Sequence, residues 1–260
     1  MTFAAINGQR IWFEDSGGDG PAVVLAHGFL MDQTMFDPQV AALSPEFRVI
    51  TWDERGFGQT EFDGMAFTYW DSANDLIGLL DHLGIERCIV GGMSQGGFLT
   101  LRAALKYPER VSGLVLIDTG CGVEPDDVRA GYEQLIDTWT TVGPIDELAN
   151  TVAGIIISEP EESARWIAKW RLRAKELLRE PGRTLNSRDD ITDLVHGITC
   201  PAIIIHGSAD VAIPLHKGEE LRDLLGGPVE FVVIEGAGHA SNLTHPDEVN
   251  PPLLEWLRAR

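Results

Sequence analysis

The residues most suggestive of chemistry are centred on a serine between glycines, in Gly91-Gly92-Met93-Ser94-Gln95-Gly96-Gly97. This segment directly follows a predicted buried strand and directly precedes a predicted helix, which is the context that a G-x-S-x-G turn requires. Glycines two positions before and two positions after the serine allow a close backbone approach that a β-carbon would prevent. Ser94 is therefore predicted to be a nucleophile, and an ordinary glycine-rich turn is the alternative.

A serine hydroxyl attacks efficiently only when a base removes its proton, so the chain should also supply a histidine. Of the seven histidines, His239 lies in Gly236-Ala237-Gly238-His239-Ala240, a turn just beyond the last predicted strand. This turn is expected at the same carboxyl edge of the sheet as Ser94. His239 is therefore the predicted base, whereas His27, beside the first buried strand, is interpreted as a structural hydrogen-bonding residue.

Two aspartates are candidates for the acid that orients the histidine, because each follows a predicted strand. Asp118 ends the run Leu114-Val115-Leu116-Ile117-Asp118, and Asp210 ends the run Ile205-His206-Gly207-Ser208-Ala209-Asp210. Asp210 is preferred because Ile213-Pro214 closes its turn and because it gives the order serine, aspartate, histidine along the chain. Asp118 remains the alternative acid, and its other possible role is to cap a turn.

Acyl transfer also needs two N–H donors for the negative charge that develops on the substrate oxygen. One donor should belong to Gln95, which follows the nucleophile at the positively polarised start of a helix. The other is predicted to be Phe29, because Gly28 permits a tight turn in His27-Gly28-Phe29. A simple strand-to-helix turn is the alternative role of this segment.

The elements that must position these residues alternate between short apolar runs and amphipathic helical segments. This alternation predicts an α/β fold with a mostly parallel sheet flanked by helices. An antiparallel ribbon over Ala4 to Phe13, turned at Asn7-Gly8, is predicted to precede it. Buried strands are predicted at Val23 to Ala26, Val49 to Trp52, Cys88 to Gly91, Leu114 to Ile117, Ala202 to His206 and Phe231 to Ile234.

Two of the predicted helices have clear end signals. Thr68 with Asp71 can cap the start of one helix, and Gly84 can end it. The other helix runs from Ser94 to Tyr107, where Pro108 stops it.

The alternation of strands and helices stops between about Gly122 and Gly197, where helical signals dominate. This change predicts a helical cap inserted after the sixth strand, with core residues 1–121, cap residues 122–197 and core residues 198–260. Helix starts are predicted at Ser158 with Glu161 and at Ser187 with Asp190. The tryptophans of the cap are predicted to dock it onto the sheet in preference to contacting substrate; they are Trp139, Trp166 and Trp170.

Composition narrows the classes of partner. The 260 residues include 40 acidic and 20 basic side chains, a formal net charge of −20. This charge repels phosphate backbones and anionic lipids, so neither nucleic acid nor membrane is expected as a partner. The three cysteines lack a C-x-x-C spacing, and no secretory leader or membrane-spanning run is recognisable. A cytoplasmic protein, monomeric or a small homo-oligomer, is expected.

Five segments, taken in order, resemble the α/β-hydrolase superfamily over essentially the whole chain. The resemblance implies the α/β-hydrolase fold with its helical cap, and it implies the roles of nucleophile, acid and base for Ser94, Asp210 and His239. The segments are His27-Gly28-Phe29, Asp53-Glu54-Arg55-Gly56-Phe57-Gly58, Gly92-Met93-Ser94-Gln95-Gly96-Gly97, His206-Gly207-Ser208-Ala209-Asp210 and Gly236-Ala237-Gly238-His239.

Within the superfamily, further stretches are similar to oxoadipate enol-lactonases and to cofactor-free perhydrolases of the haloperoxidase type. The resemblance implies hydrolysis of a carboxylic ester or lactone through an acyl-enzyme on Ser94, with a small-molecule substrate and no cofactor. Those groups usually have methionine after the nucleophile, where this chain has Gln95. The stretches are Phe36-Asp37-Pro38-Gln39, Pro108-Glu109-Arg110-Val111, and His239-Ala240-Ser241-Asn242 followed by His245-Pro246.

Other activities remain open at this point. The same residues could serve perhydrolysis with peroxide or hydrolysis of a carbon–carbon bond. A non-catalytic small-molecule receptor is the alternative from a different class, because some superfamily members keep the pocket as a binding module. The complete set of catalytic residue types favours an enzyme. No two histidines are spaced to share a metal, and no phosphate-binding glycine motif opens the first helix.

Overall fold

The computed structural model describes residues 2–260; Met1, the first residue of the predicted core, lies outside them. Eight strands of this part of the chain form one sheet. In chain order they are β1 (Thr2–Ile6), β2 (Gln9–Asp15), β3 (Ala22–Ala26), β4 (Arg48–Trp52), β5 (Cys88–Met93), β6 (Val111–Ile117), β7 (Ala202–Gly207) and β8 (Val229–Ile234).

The sheet is antiparallel at one edge and parallel elsewhere. Its spatial order is β1-β2-β4-β3-β5-β6-β7-β8. The pairs β1–β2 and β2–β4 are antiparallel, whereas the pairs from β4 through β8 are parallel. Asn7 and Gly8 have φ angles of 47° and 82°, as the tight turn of the β1–β2 ribbon requires. The predicted α/β fold and six parallel strands are confirmed, but β8 is an edge strand and only half-buried, so its predicted burial is wrong.

Helices connect the strands and cover both faces of the sheet. Short 3-10 segments occur at Gln33–Phe36, Lys175–Leu178 and Val195–Gly197. The α-helices are α1 (Asp37–Leu43), α2 (Tyr69–His82), α3 (Gln95–Lys106), α4 (Asp126–Val142), α5 (Asp146–Ile156), α6 (Pro160–Leu172), α7 (Arg179–Asn186), α8 (Leu215–Leu224), α9 (Ser241–Thr244) and α10 (Pro246–Arg258).

Two apolar clusters, one on each side of the sheet, form the core. Successive residues of a strand point to opposite faces, so Val24 and Val90 belong to one cluster, whereas Leu25 and Ile89 belong to the other. These four side chains are at most 5% exposed. The rigid centre of the sheet therefore fixes where the carboxyl ends of β3, β5, β6 and β7 lie.

The insertion between β6 and β7 contains α4 to α7. Its tryptophans Trp139, Trp166 and Trp170 are buried, and Trp139 packs edge to face on Trp170 with ring centroids 5.5 Å apart. The Trp170 Nε1 atom donates a hydrogen bond of 2.7 Å to the carbonyl of Leu30, in the segment that follows β3. These tryptophans are thus docking residues, while the division of the chain at residues 122 and 197 stays a prediction.

Two predicted helix starts in the insertion are wrong. The helix α7 ends before Ser187, whose hydroxyl donates back to the Arg183 carbonyl instead of capping a new helix at Asp190. The helix α6 begins at Pro160, because proline favours the first helical position. The Ser158 hydroxyl donates to the Ile157 carbonyl and so does not cap that helix.

Within residues 2–260, no helix has both the length and the apolar character that crossing a bilayer takes.

The helix α2 has the end signals that its sequence predicted, and they can be tested. The Thr68 N–H donates to Asp71 at 2.8 Å, and the Thr68 hydroxyl accepts from the Asp71 N–H, which together form a capping box. Replacing Thr68 by Ala should lower the free energy of unfolding by about 1 kcal/mol, because the hydroxyl no longer accepts from the Asp71 N–H or donates to the Asp71 carboxylate. Urea denaturation measures this change.

The control is Thr138→Ala within α4, where the threonine hydroxyl only donates to a carbonyl one turn earlier. This variant should differ from the wild type by less than about 0.5 kcal/mol. Equal losses in the two variants would contradict the capping interpretation.

Candidate active site

Ser94 lies in the turn between β5 and α3, with φ 52° and ψ −115°. This positive φ is unusual for a residue with a side chain and costs free energy that the surrounding structure must offset. The Ser94 N–H donates a 2.9 Å hydrogen bond to the Ile117 carbonyl at the end of β6, which helps to hold the turn. The strand-turn-helix context predicted for Ser94 is therefore present.

The glycines on either side of Ser94 are required by close backbone packing. A β-carbon on Gly92 would lie 2.1 Å from the carbonyl carbon of Gly96, and one on Gly96 would lie 2.0 Å from the carbonyl oxygen of Ala26. Both distances are well below van der Waals contact, and both partners are backbone atoms. The absence of a side chain therefore lets the turn pack on itself at Gly92 and against the end of β3 at Gly96.

His239 and Asp210 are brought together by the loops that follow β8 and β7. The His239 Nδ1 lies 2.8 Å from the Asp210 Oδ2, and the Asp210 Oδ1 accepts hydrogen bonds of 2.8 Å from the N–H groups of Ala212 and Ile213. Burial alone would raise the pKa of Asp210, but the nearby His239, His206 and Ile213 N–H lower it to about 2.

The Asp210 carboxylate is consequently ionised near neutral pH and can only accept hydrogen bonds. The His239 Nδ1 must therefore carry the proton in their shared contact, which leaves Nε2 of a neutral ring with a free lone pair. This is the tautomer that a general base needs.

Ser94 and His239 line one cavity together with Phe29. Within the described residues 2–260, no hydrogen bond joins the Ser94 hydroxyl to the His239 ring. Such contacts are often long in unliganded enzymes and shorten when substrate binds. The structure thus brings the predicted nucleophile and base to the same cavity, with the predicted acid bound to the far side of the histidine.

Asp118 has a different set of contacts from Asp210. Its Oδ1 accepts a 2.8 Å hydrogen bond from the Gly207 N–H, and its Oδ2 accepts from the Ser241 N–H at 2.9 Å and the Ser241 hydroxyl at 2.7 Å. Burial raises the pKa of Asp118 to about 6. This carboxyl group therefore ties the end of β7 to the loop that carries His239, and it does not hydrogen-bond to the histidine ring.

Asp118, His206 and Asp210 also form the one group in residues 2–260 whose spacing could hold a cation, with ligand atoms within 4.8 Å of one another. However, all four carboxylate oxygens already accept hydrogen bonds, and the His206 Nε2 donates to the Ile213 carbonyl at 2.8 Å. A metal ion bound by the His206 Nε2 or the Asp210 Oδ2 would compete with their contacts to the Ile213 carbonyl and to His239. The donor set therefore fits a hydrogen-bonded support for the site better than a metal centre.

The proposed N–H donors are found where the sequence places them. Phe29 lines the cavity, and Gln95 is the first residue of α3. In the part of the chain that the structure describes, neither backbone N–H donates a hydrogen bond; for Gln95 this is the usual state of a helix-start N–H. Both donors are therefore free to bind a substrate oxygen.

Sequence reasoning missed the buried network that holds the Gln95 side chain. Its Nε2 donates to Glu54 at 3.1 Å, and its Oε1 accepts from the Tyr69 hydroxyl at 3.2 Å. Burial raises the pKa of Glu54 well above its usual range. Gln95 is thus anchored through its amide, a role that methionine at this position could not fill.

The cavity wall beyond Ser94 and His239 is mostly apolar. Two charged side chains interrupt it, Glu124 and Arg188, and sequence analysis singled out neither. No motif surrounds them, and they come from opposite ends of the insertion. Phe98 could have been found, because it lies one helical turn after Ser94. The apolar lining includes Phe29, Phe98, Leu135, Ile136, Val152 and Ile156.

Residues 21–143 of the chain match the family described as alpha/beta hydrolase fold. A protein of Synechocystis sp. (strain ATCC 27184 / PCC 6803 / Kazusa), provisionally named a non-heme chloroperoxidase, is 30% identical over 269 residues. This match covers 95% of the present chain and 95% of that relative.

Two solved structures are similar over nearly the whole chain. A thermophilic esterase from Thermogutta terrifontis, with malate bound, superposes with a TM-score of 0.89 at 31% identity and covers 99% of this chain and 97% of its own. The enol-lactonase from Burkholderia xenovorans LB400 superposes with a TM-score of 0.90 at 27% identity. The match covers 99% of this chain and 100% of the enol-lactonase chain. Both the sheet and the inserted helices therefore have counterparts in proteins of known structure.

The buried ring of His27 gives a pH prediction. Its Nδ1 donates to the Gly28 carbonyl at 2.8 Å and its Nε2 accepts from the Glu54 N–H at 3.0 Å, and the second bond requires a neutral ring. Burial lowers the pKa of His27 to about 4. Because this pKa is below the ordinary 6.5, the stabilisation by His27 is complete above about pH 6.5 and is lost as pH falls towards 4.

The stability difference between the wild type and His27→Asn should therefore shrink by roughly 3 kcal/mol between pH 7 and pH 4. Urea denaturation at a series of pH values measures this difference. The control is His216→Asn, at an exposed position on α8. Its difference from the wild type in free energy of unfolding should change little with pH. A His27→Asn difference that stays constant with pH would contradict the neutral, buried ring.

Proposed function

Because the chain belongs to the alpha/beta hydrolase family, we propose that it is a serine hydrolase that cleaves a carboxylic ester or lactone through an acyl-enzyme on Ser94. The observation that carries this proposal is the 2.8 Å contact between the His239 Nδ1 and the ionised Asp210, beside a cavity that Ser94 and His239 line together. The similar esterase and enol-lactonase structures support the same class of substrate.

In the proposed acylation step, the His239 Nε2 accepts the Ser94 proton as the hydroxyl oxygen attacks the substrate carbonyl carbon. The carbonyl π electrons move to oxygen, and the N–H groups of Phe29 and Gln95 stabilise the resulting oxyanion. The histidine then gives its proton to the leaving alkoxide as the carbon–oxygen bond breaks. In a lactone this alkoxide remains attached to the acyl group, because both belong to one ring.

In deacylation, His239 takes a proton from water, and the hydroxide oxygen attacks the acyl carbon. The Ser94 oxygen leaves and recovers the proton from the histidine, so the enzyme returns to its starting state. Asp210 stabilises the imidazolium that forms in both steps. No cofactor takes part in this mechanism.

The nucleophile is tested by Ser94→Ala. This variant should lose esterase turnover by at least about 10⁴-fold, because the acyl-enzyme can no longer form. Turnover of p-nitrophenyl butyrate measures the loss, and a fluorophosphonate probe followed by peptide mass spectrometry should label Ser94 in the wild type alone. Undiminished turnover in the variant would overturn the proposal, and a wild-type serine that stays unlabelled is the result expected of a receptor.

The two aspartates are distinguished by a matched pair of asparagine variants. Asp210→Asn should lower kcat by about 10³ to 10⁴-fold, because an amide favours the wrong histidine tautomer and cannot stabilise the imidazolium. Asp118→Asn places an NH₂ group against N–H donors, so it should lower the unfolding temperature while kcat falls by less than about tenfold. Kinetics and thermal unfolding of both variants measure these effects, and the opposite ranking of kcat would reject Asp210 as the acid.

A further inference from the structure

One arginine side chain lies in the wall of the otherwise apolar cavity beside Ser94. Arg188 follows α7, and only 4% of its side chain is exposed. Removing a guanidinium from water is unfavourable unless other groups accept its hydrogen bonds or neutralise its charge. The contacts of Arg188 therefore indicate whether all of its N–H groups are already hydrogen-bonded within the protein.

The hydrogen bonds of Arg188 are incomplete. Its Nη1 donates to the Leu185 carbonyl at 2.8 Å, and its Nη2 makes two long contacts of 3.3 Å, one to the Gly122 carbonyl and one to the Glu124 carboxylate. Its Nε is buried and has no partner among the described residues. Since a guanidinium carries five N–H donors, Arg188 retains donors for a further acceptor.

The chain holds Arg188 in place through the next residue. The carboxylate of Asp189 accepts hydrogen bonds from Arg102 at 2.8 Å and from the Trp70 indole at 3.0 Å. Arg102 also donates to the Asp189 carbonyl at 2.7 Å, and its own side chain is 1% exposed. A donor fixed in this way loses little conformational entropy when a ligand binds.

Arg188 lines the same cavity as the nucleophile. Its Cζ is 4.4 Å from the centre of the Phe98 ring, and Phe98 is one turn along α3 from Ser94. The Phe98 N–H donates to the Ser94 carbonyl at 3.2 Å. One helical turn is about 5.4 Å, so a substrate chain of roughly four to six atoms could reach from the acyl carbon to the guanidinium.

We propose that Arg188 is a specificity-determining residue that donates a hydrogen bond to an uncharged oxygen of the substrate acyl chain. This inference rests on the proposed hydrolase function and narrows its substrate class. The preferred substrates are esters or lactones whose acyl chain carries an ether, carbonyl or ring oxygen a few atoms from the scissile group. The remainder of that chain packs on the apolar lining.

The acceptor is uncharged because Glu124 already faces the guanidinium. A substrate carboxylate bound to Arg188 would lie beside that glutamate, and the two like charges would repel each other. The formal net charge of −20 also opposes the approach of anions to the protein. Glu124 therefore excludes acyl chains that end in a carboxylate.

The test compares three p-nitrophenyl esters of nearly equal length: the hexanoate, the 4-methoxybutanoate and the monoglutarate. For each ester, kcat/KM is measured with the spontaneous rate subtracted. The wild type should prefer the methoxy ester over the hexanoate by about tenfold, because a hydrogen bond to a charged donor strengthens binding. The monoglutarate should be the poorest of the three substrates.

Arg188→Met removes the donors and keeps an apolar chain of similar length. The ratio of kcat/KM for the methoxy ester to that for the hexanoate should then fall to about one. Glu124→Gln should retain this ratio but raise the ratio of monoglutarate to hexanoate by about tenfold or more. The control Arg183→Met, on an exposed side chain of α7, should change neither ratio.

A structural defect would produce a different pattern. It would lower kcat/KM for all three esters together and slow the labelling of Ser94 by a small fluorophosphonate, whereas loss of specificity changes the ratios alone. A methoxy-to-hexanoate ratio that is about one in the wild type, or that Arg188→Met leaves unchanged, would overturn the role of Arg188 while leaving the hydrolase proposal intact. Absence of any Ser94-dependent ester turnover would reject both proposals.

Discussion

The site depends on keeping one carboxylate ionised in a place that water hardly reaches. Burial alone would raise the pKa of Asp210. The N–H donors and histidines around the carboxylate lower this pKa instead. Two of the donors come from the backbone at residues 212 and 213, and His239 supplies a third. The loops after β7 and β8 must therefore hold a fixed distance, and the parallel pairing of these strands sets that distance.

Much of this arrangement could be predicted from the sequence, because it is encoded locally. The apolar runs gave the buried strands, since a strand covered on both faces tolerates few polar residues. The glycines around Ser94 identified a turn whose packing permits no β-carbon, and the loop positions of Asp210 and His239 followed from the strand ends. Helix starts in the insertion were harder: serine followed by an acidic residue is a common pair, and Pro160 set the boundary of α6 instead.

The contacts that shape the cavity could not be predicted in the same way. Glu124 and Arg188 are 64 residues apart, and their contact depends on how the inserted helices pack on α3. The same is true of Gln95, whose amide contacts Glu54 and Tyr69 across separations of 41 and 26 residues. Hydrophobic periodicity in the sequence predicts a single helix or strand and carries no information about which elements contact each other. Contacts between elements depend on docking, to which Trp170 contributes through a single indole hydrogen bond.

The two buried aspartates explain why residue type and strand position leave the assignment of an acid open. Both follow parallel strands, both are buried, and both carboxyl groups accept backbone hydrogen bonds. The difference lies in their remaining contacts. Both oxygens of Asp118 accept hydrogen bonds from Gly207 and Ser241, whereas one oxygen of Asp210 contacts the His239 ring. The three hydrogen bonds to Asp118 come from a backbone N–H of β7 and from Ser241, whereas Asp210 has the histidine ring as a partner, so the neighbours of each carboxylate select its role. In this fold, Asp118 links the end of β7 to Ser241, and Asp210 uses its remaining oxygen for the 2.8 Å contact with His239.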